Sequence, residues 1–274
     1  MPKVRYLTKK YGFRAARALG QNFLADEGIE AAIIESLGCT KDDTVVEIGP
    51  GVGSLTALAA EKAGRVVAIE LDERLLPILA ESLAAHPNAE VLHADVLKTD
   101  IGALAENPII LGNIPYYIST PIIMKLIEDE LRLKSASLML QKEVAEKLAA
   151  APSSEGYGVL AVIVQYFFDI ENIADAPPEA FIPPPKVSSR VVKLIPSDER
   201  RSALNSREDF FAIVKQAFSK RRKTLANSLA GLCGMEKPAL GAWLSENGIE
   251  ASRRPETLSP AEFAKLSNSM AKLR

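Results

Sequence analysis

Thr44-Val45-Val46-Glu47-Ile48-Gly49-Pro50-Gly51-Val52-Gly53-Ser54-Leu55-Thr56 begins as one kind of secondary structure and ends as another. Its first five residues are β-branched or apolar around a single carboxylate and predict a buried strand. Three glycines follow and permit a tight turn with close approach of a ligand to backbone. Residues 54–63 then predict a helix. A strand passing into a helix through a glycine turn is half of a parallel strand–helix–strand unit.

The alternation continues downstream. Strands are predicted over 65–70, 90–93, 108–112 and 136–140, and helices over 72–86, 120–129 and 142–150. Two further apolar runs, 159–168 and 189–195, are candidates to complete the sheet. The whole predicts an α/β fold with a doubly wound parallel sheet. Near Pro196 the character changes: residues 197–202 are polar and read as a linker. Helical patterns without any strand signal follow over 207–218, 221–232, 237–247 and 260–270. The expected organisation is a sheet domain over 1–198, headed by a basic arm over 1–20, and a small all-helical domain over 199–274.

A formal net charge of −2 conceals a strong asymmetry. Residues 1–20 carry six basic and no acidic side chains, and residues 199–274 carry 14 basic against 8 acidic. The body between holds 13 basic against 27 acidic. An acidic body with basic ends suits selective contact with nucleic acid, although merely solvated tails give the same pattern. The only two cysteines, Cys39 and Cys233, read as small buried apolar residues of a reducing compartment. The only histidines, His86 and His93, have no partner at ligand spacing, so no metal site is expected. The N-terminus lacks the apolar stretch of a secretory signal, and no apolar run reaches the roughly 18 residues that would span a bilayer.

The chemistry is expected where the strands end. Behind Gly49, Gly51 and Gly53 a helix N-terminus offers free N–H groups to a carboxylate. Glu70 ends the next strand and can accept both hydroxyls of a ribose, and Asp95, after the third strand, can accept from an adenine amino group. The spacing G-x-G-x-G differs from the dinucleotide fingerprint G-x-G-x-x-G. An acidic residue two before the first glycine, here Glu47, is the usual mark of an S-adenosylmethionine site. Asn113-Ile114-Pro115-Tyr116 follows the fourth strand on the same edge. An amide, a proline and an aromatic together suit methylation of an exocyclic amine. The Asn113 side-chain oxygen and the Ile114 carbonyl can accept the two hydrogens of an adenine N6. Pro115 fixes the chain so that this carbonyl points into the site. Tyr116 can stack on the base.

Further segments run in order along the chain: Gly20-Gln21-Asn22-Phe23-Leu24, Gln141-Lys142-Glu143-Val144-Ala145, Tyr157-Gly158, Phe181-Ile182-Pro183-Pro184-Pro185-Lys186-Val187, Phe218-Ser219-Lys220-Arg221-Arg222-Lys223-Thr224-Leu225 and Arg254-Pro255-Glu256-Thr257-Leu258-Ser259. With the glycine turn and the Asn113 segment, this ordered set resembles the KsgA/RsmA family, the small-subunit ribosomal RNA adenine N6,N6-dimethyltransferases. Ile114 stands where that family more often has Leu, and Ser188 where it often has Asp. The resemblance implies a Rossmann-like class I S-adenosylmethionine methyltransferase sheet with a small C-terminal helical domain that binds RNA or the particle. Asn22 and Leu24 would close over the cofactor, Gly49 would meet its methionine end, Glu70 its ribose and Asp95 its adenine, with Gly51 also in the cofactor site. Asn113 would serve cofactor and target amine, and Phe181 would form a stacking sandwich with Tyr116. Lys220, Arg221, Arg222 and Lys223 would contact phosphates. The substrate implied is a pair of adjacent adenosines in a hairpin loop near the 3′ end of small-subunit rRNA, each dimethylated within a pre-ribosomal particle. A cytoplasmic monomer acting in rRNA processing and ribosome biogenesis is expected. Two other readings stay open: a large-subunit rRNA methyltransferase of the antibiotic-resistance type, and a non-catalytic assembly factor on the same fold.

Overall fold

The structure is a computed structural model and describes residues 3–16, 20–220 and 222–270. In chain order its strands are β1 (Phe23–Leu24), β2 (Thr44–Ile48), β3 (Arg65–Glu70), β4 (Ala89–His93), β5 (Ile109–Asn113), β6 (Ser135–Gln141), β7 (Phe168–Ala176), β8 (Phe181–Ile182) and β9 (Ser189–Pro196). Seven of them form one sheet in the order β4-β3-β2-β5-β6-β9-β7. The first five are mutually parallel, and β9 runs antiparallel to β6. Val45, Val46, Ile110 and Leu138 have essentially no exposed surface. That is why these strands read as continuous apolar runs: both faces of a parallel sheet are covered. The strand order reverses between β2 and β5, and a crevice opens there at the carboxyl ends of the strands.

Contacts divide the chain into two compact units, Met1–Ala145 with Ile170–Pro196 and Glu146–Asp169 with Ser197–Arg274. The first carries the sheet, together with α1 (Lys3–Lys10), α2 (Glu27–Leu37), α3 (Ser54–Lys62), α4 (Leu76–Ser82) and α5 (Ser119–Glu128). The helix α6 (Lys142–Leu148) follows β6. The second unit is helical: α7 (Val159–Phe167), α8 (Asp198–Ser202), α9 (Arg207–Ala217), α10 (Leu225–Ser228), α11 (Lys237–Glu246) and α12 (Pro260–Met270). Its interior is aromatic. The Tyr166 and Phe210 rings lie 4.7 Å apart, Phe167 packs edge-on to both, and Phe218 stacks beside Phe263 at 5.9 Å.

Several local readings are corrected. The run 159–168 is a helix over Val159–Phe167, not a strand. It is apolar all round because six of its nine residues are buried, and such a run has no period to betray a helix. The strand that does follow, β7, was not expected. It lies at the sheet edge and is largely exposed, so Asp169, Glu171, Asn172 and Asp175 dilute its pattern. Asp175 is held there by Arg190 and Lys142, which keep its carboxyl well below the usual carboxylate range. The polar stretch after Pro196 contains α8, capped by the Ser197 hydroxyl, rather than a linker alone. The helix expected over 221–232 is only α10, since Gly231 and Cys233 take left-handed backbone conformations beyond it. Cys233 is exposed, not buried.

Candidate active site

The carboxyl ends of β2, β3, β4 and β5 line one cleft with about 840 Å³ of empty space. Gly49 and Gly51 form its floor with φ of +70° and +57°, in the region that favours glycine. A Cβ on Gly51 would stand 2.8 Å from the Phe23 ring, so no side chain fits there. The chain then enters α3, whose N-cap Gly53 provides no side-chain cap, leaving the first-turn N–H groups open to an anion.

Two carboxylates sit behind this floor. Glu47 is fully buried, and its Oε2 has no hydrogen-bond partner among the described residues. Burial, and then the nearby Glu70 charge, push its carboxyl up to about 7. Glu70 faces the cleft, and its Oε1 accepts the Asp72 N–H at 2.7 Å. Burial raises its pKa against the pull of the Asp72 and Gly51 N–H groups. Asp72 accepts from Gln21 Nε2 at 2.8 Å and from Arg74 Nη2 at 2.6 Å, which fastens the chain before β1 to the end of β3. Asp95 lines the cleft beyond β4, accepts the Leu97 N–H at 3.0 Å and has Lys98 at 3.8 Å.

The loop after β5 is different. Asn113 is half-buried, and its Nδ2 donates to the Asn22 carbonyl at 3.0 Å. Asn22 itself is held by donation to the Gly20 carbonyl at 3.1 Å. One amide hydrogen of Asn113 is thereby committed, and its Oδ1 keeps its capacity to accept. Ile114 is buried, and Pro115 has φ −53°. The Pro115 carbonyl accepts the Ile118 N–H at 3.1 Å and closes the turn that carries Tyr116 and Tyr117. The Tyr116 hydroxyl bonds Ser189 Oγ at 2.7 Å, and burial pushes its phenol above the ordinary value, so it stays neutral.

The structure thus brings Asn22, Gly49, Gly51, Glu70, Asp95, Asn113, Ile114, Pro115 and Tyr116 to one cleft. Leu24 and Phe181, expected as a lid and as a stacking partner of Tyr116, are not among its lining residues. They pair across the two-stranded antiparallel ribbon of β1 and β8 and are buried with Ile33, Leu55 and Ala180 in the apolar core. Leu24 reaches only the smaller pocket behind the glycine turn, beside Glu47. Of the basic run, Lys220, Arg222 and Lys223 are exposed in the turn between α9 and α10, not on a helix face. Arg221 lies outside the described residues, as do Met1, Pro2, Arg17, Ala18 and Leu19 of the basic arm. Sequence reasoning missed Gln21, Asp72 and Tyr117. The Tyr116-Tyr117 doublet was visible, but not which ring is exposed.

Residues 12–272 match the family described as ribosomal RNA adenine dimethylase. The "Ribosomal RNA small subunit methyltransferase A" of Alkaliphilus oremlandii (strain OhILAs) is 42% identical over 277 residues, covering 98% of this chain and 96% of the relative. Among solved structures, a dimethyladenosine transferase from Plasmodium falciparum superposes with a TM-score of 0.80 at 28% identity, covering 92% of this chain and 98% of that one. The 23S rRNA methyltransferase ErmE does so with a TM-score of 0.71 at 29% identity, covering 90% and 98%. The sheet is that of a Rossmann-like class I methyltransferase. Cleft, neutral loop and a match along nearly the whole sequence agree, and the chain belongs to the ribosomal RNA adenine dimethylase family.

Proposed function

We propose that this enzyme dimethylates N6 of two adjacent adenosines in a hairpin loop near the 3′ end of small-subunit rRNA, as a cytoplasmic monomer acting on a pre-ribosomal particle. The underlying activity is that of the family: S-adenosylmethionine-dependent dimethylation of adenine in ribosomal RNA. No helix among the described residues is long and apolar enough to cross a membrane.

The cleft residues fit the cofactor. Gly49 and Gly51 would meet the cofactor beside the open helical N–H groups of α3, and the orphaned Glu47 Oε2 lies close behind them. Glu70 and Asp95, which both line the cleft, would accept from the ribose hydroxyls and from the adenine amine respectively. Bound there, S-adenosylmethionine supplies a methyl already activated by a positive sulfonium. The protein's own residues supply position. Asn113 Oδ1 and the Ile114 carbonyl accept the two N6 hydrogens and aim the nitrogen lone pair at the methyl. Tyr116 holds the face of a base that has left its stack. As N6 becomes positive, the same two oxygens stabilise it without reorganising.

The observation that carries this reading is the bond from Asn113 Nδ2 to the Asn22 carbonyl. It orients a neutral acceptor in the cleft that also holds Glu70 and Asp95. Lys220, Arg222 and Lys223, exposed in the helical C-terminal domain, support phosphate contact there. Tritiated methyl transfer tests the proposal, with under-methylated small subunits set against naked large-subunit rRNA and the labelled nucleotides mapped. Label on two adjacent small-subunit adenosines is expected. Label on large-subunit rRNA would assign the chain the substrate named for ErmE, and no label would leave a non-catalytic factor. Replacing Arg222 and Lys223 by Ala should lower the slope of log affinity against log salt by about 0.7–0.9 per lost phosphate contact.

A further inference from the structure

We propose that Tyr117 is a second stacking platform, at the mouth of the cleft, that holds the nucleobase next to the target adenosine; this rests on the substrate reading above. Tyr116 and Tyr117 are consecutive, yet they are built for different tasks. Tyr116 is half-buried and tied by its hydroxyl to Ser189. Tyr117 is 57% exposed, the most exposed large apolar side chain of the described residues, and its hydroxyl makes no hydrogen bond among them.

The ring is nevertheless placed. Gly20 lies against it with φ +60°, and a Cβ added there would stand 3.5 Å from Tyr117 Cδ1 and 3.6 Å from Cε1. Gly20 thus lies beside the Cδ1–Cε1 edge of the ring, where any larger residue would touch it, while more than half of the side chain's surface stays open at the cleft. Both tyrosines line that cleft in a turn of 3₁₀ type over Tyr116–Ile118. Successive side chains of a 3₁₀ turn point about a third of a revolution apart, so the two rings cannot cover the same base. Phe181, the other aromatic expected to stack, is buried in the core. A base held by Tyr116 leaves its neighbour unstacked on one side, and the open ring of Tyr117 is what the cleft offers that neighbour. Base–aromatic stacking tolerates any base, so this contact adds affinity and register rather than sequence readout.

The test is a double-mutant cycle on RNA binding by the full chain. The probe is an RNA hairpin with two adjacent adenosines in its loop, intact or abasic at the nucleotide beside the target. Tyr117→Ala should weaken binding of the intact hairpin about five- to a hundredfold, the size of one lost stack. Tyr117→Phe should bind like the parent. The abasic site should weaken the parent similarly but scarcely weaken Tyr117→Ala further, since both changes remove one interaction. Cofactor affinity by calorimetry should be unchanged. Additive losses overturn the proposal, as does a normal affinity of Tyr117→Ala for the intact hairpin. A cofactor affinity reduced tenfold would make Tyr117 a cofactor contact and overturn it as well. If the parent instead fails to label small-subunit adenosines, the substrate reading falls on its own, because the cycle is read from binding and not from turnover.

Discussion

At the ends of β2 and β3 the cleft edge is backed by two carboxylates, Glu47 and Glu70, both removed from water. At the end of β5 the same edge carries Asn113, Ile114, Pro115, Tyr116 and Tyr117, none of them charged. Each half matches what it must hold. The cofactor brings an ammonium and a sulfonium, and the desolvation cost of a buried carboxylate is offset by hydrogen bonds, such as that from the Asp72 N–H to Glu70, or by a cationic ligand. The target amine arrives neutral and becomes positive only during transfer, so fixed dipoles serve it better than a standing charge. That half offers a backbone carbonyl, an amide and a ring whose phenol burial pushes up and keeps neutral.

The sharpest way to break this contrast is Asn113→Ala. If the neutral half acts on the transition state as proposed, the loss should fall on the chemical step rather than on RNA affinity. Loss of one preorganised polar partner predicts roughly a 10²–10³-fold slower transfer. Single-turnover rates at saturating cofactor and particle measure it. A near-parental rate would mean that the loop after β5 is only a structural turn.

Glu47→Gln probes the energetic burden of the charged half in the cofactor-free protein. A buried carboxyl raised to about 7 from an ordinary value near 4.5 keeps its proton in the folded state over that window. Its contribution to stability is whole below about pH 4.5 and is lost as pH rises through about 7. Glutamine carries no such charge. The variant should match the parent near pH 5 and exceed it at pH 8, by an amount on the order of 3 kcal/mol less whatever its amide leaves unpaired. Urea unfolding across pH 5–8 is the measurement. Equal slopes in parent and variant would show that Glu47 ionises without cost.

Glu70→Ala should act on the same half but appear in binding. Two ribose hydroxyls lose a charge-assisted acceptor, which predicts about ten- to a hundredfold weaker cofactor affinity by calorimetry. RNA binding by the cofactor-free enzyme should hold. An unchanged cofactor affinity would remove Glu70 from the site.

The charged half was the more legible of the two in the sequence. Gly49, Glu70 and Asp95 announce themselves because each follows a strongly patterned strand, and a parallel sheet delivers strand ends to one edge whatever happens elsewhere. Leu24 and Phe181 could not be placed that way. Their burial depends on β1 pairing with β8, two-residue strands from distant parts of the chain, and no local pattern encodes such a ribbon. For the fold, α2 carried its own signals, Asp26 capping the Ile29 N–H and Gly38 closing the helix at φ +60°, and these went unread. The strand β7 gave no comparable signal, because an edge strand exposed to water needs no apolar alternation.

Tyr116 separates packing from anchoring within the neutral half, and its conservative variant carries the smallest expected effect. Tyr116→Ala removes the ring and should impair capture of the target adenosine by about 1–3 kcal/mol, together with turnover. Tyr116→Phe keeps the ring and removes only the bond between its hydroxyl and Ser189 Oγ. Ser189 begins β9 and is fully buried, so its hydroxyl loses a partner that water cannot replace. One neutral hydrogen bond of this kind contributes about 0.5–1.5 kcal/mol, or roughly two- to twelvefold in a rate or affinity. If the hydroxyl only positions the ring, Tyr116→Phe should lose that factor in capture, and Ser189→Ala should lose the same factor for the same reason. Combining the two should add nothing, since the bond is already gone. A Tyr116→Phe enzyme slowed a hundredfold at saturating RNA would place the phenol itself in the chemistry. The neutral half would then work by more than position and dipoles.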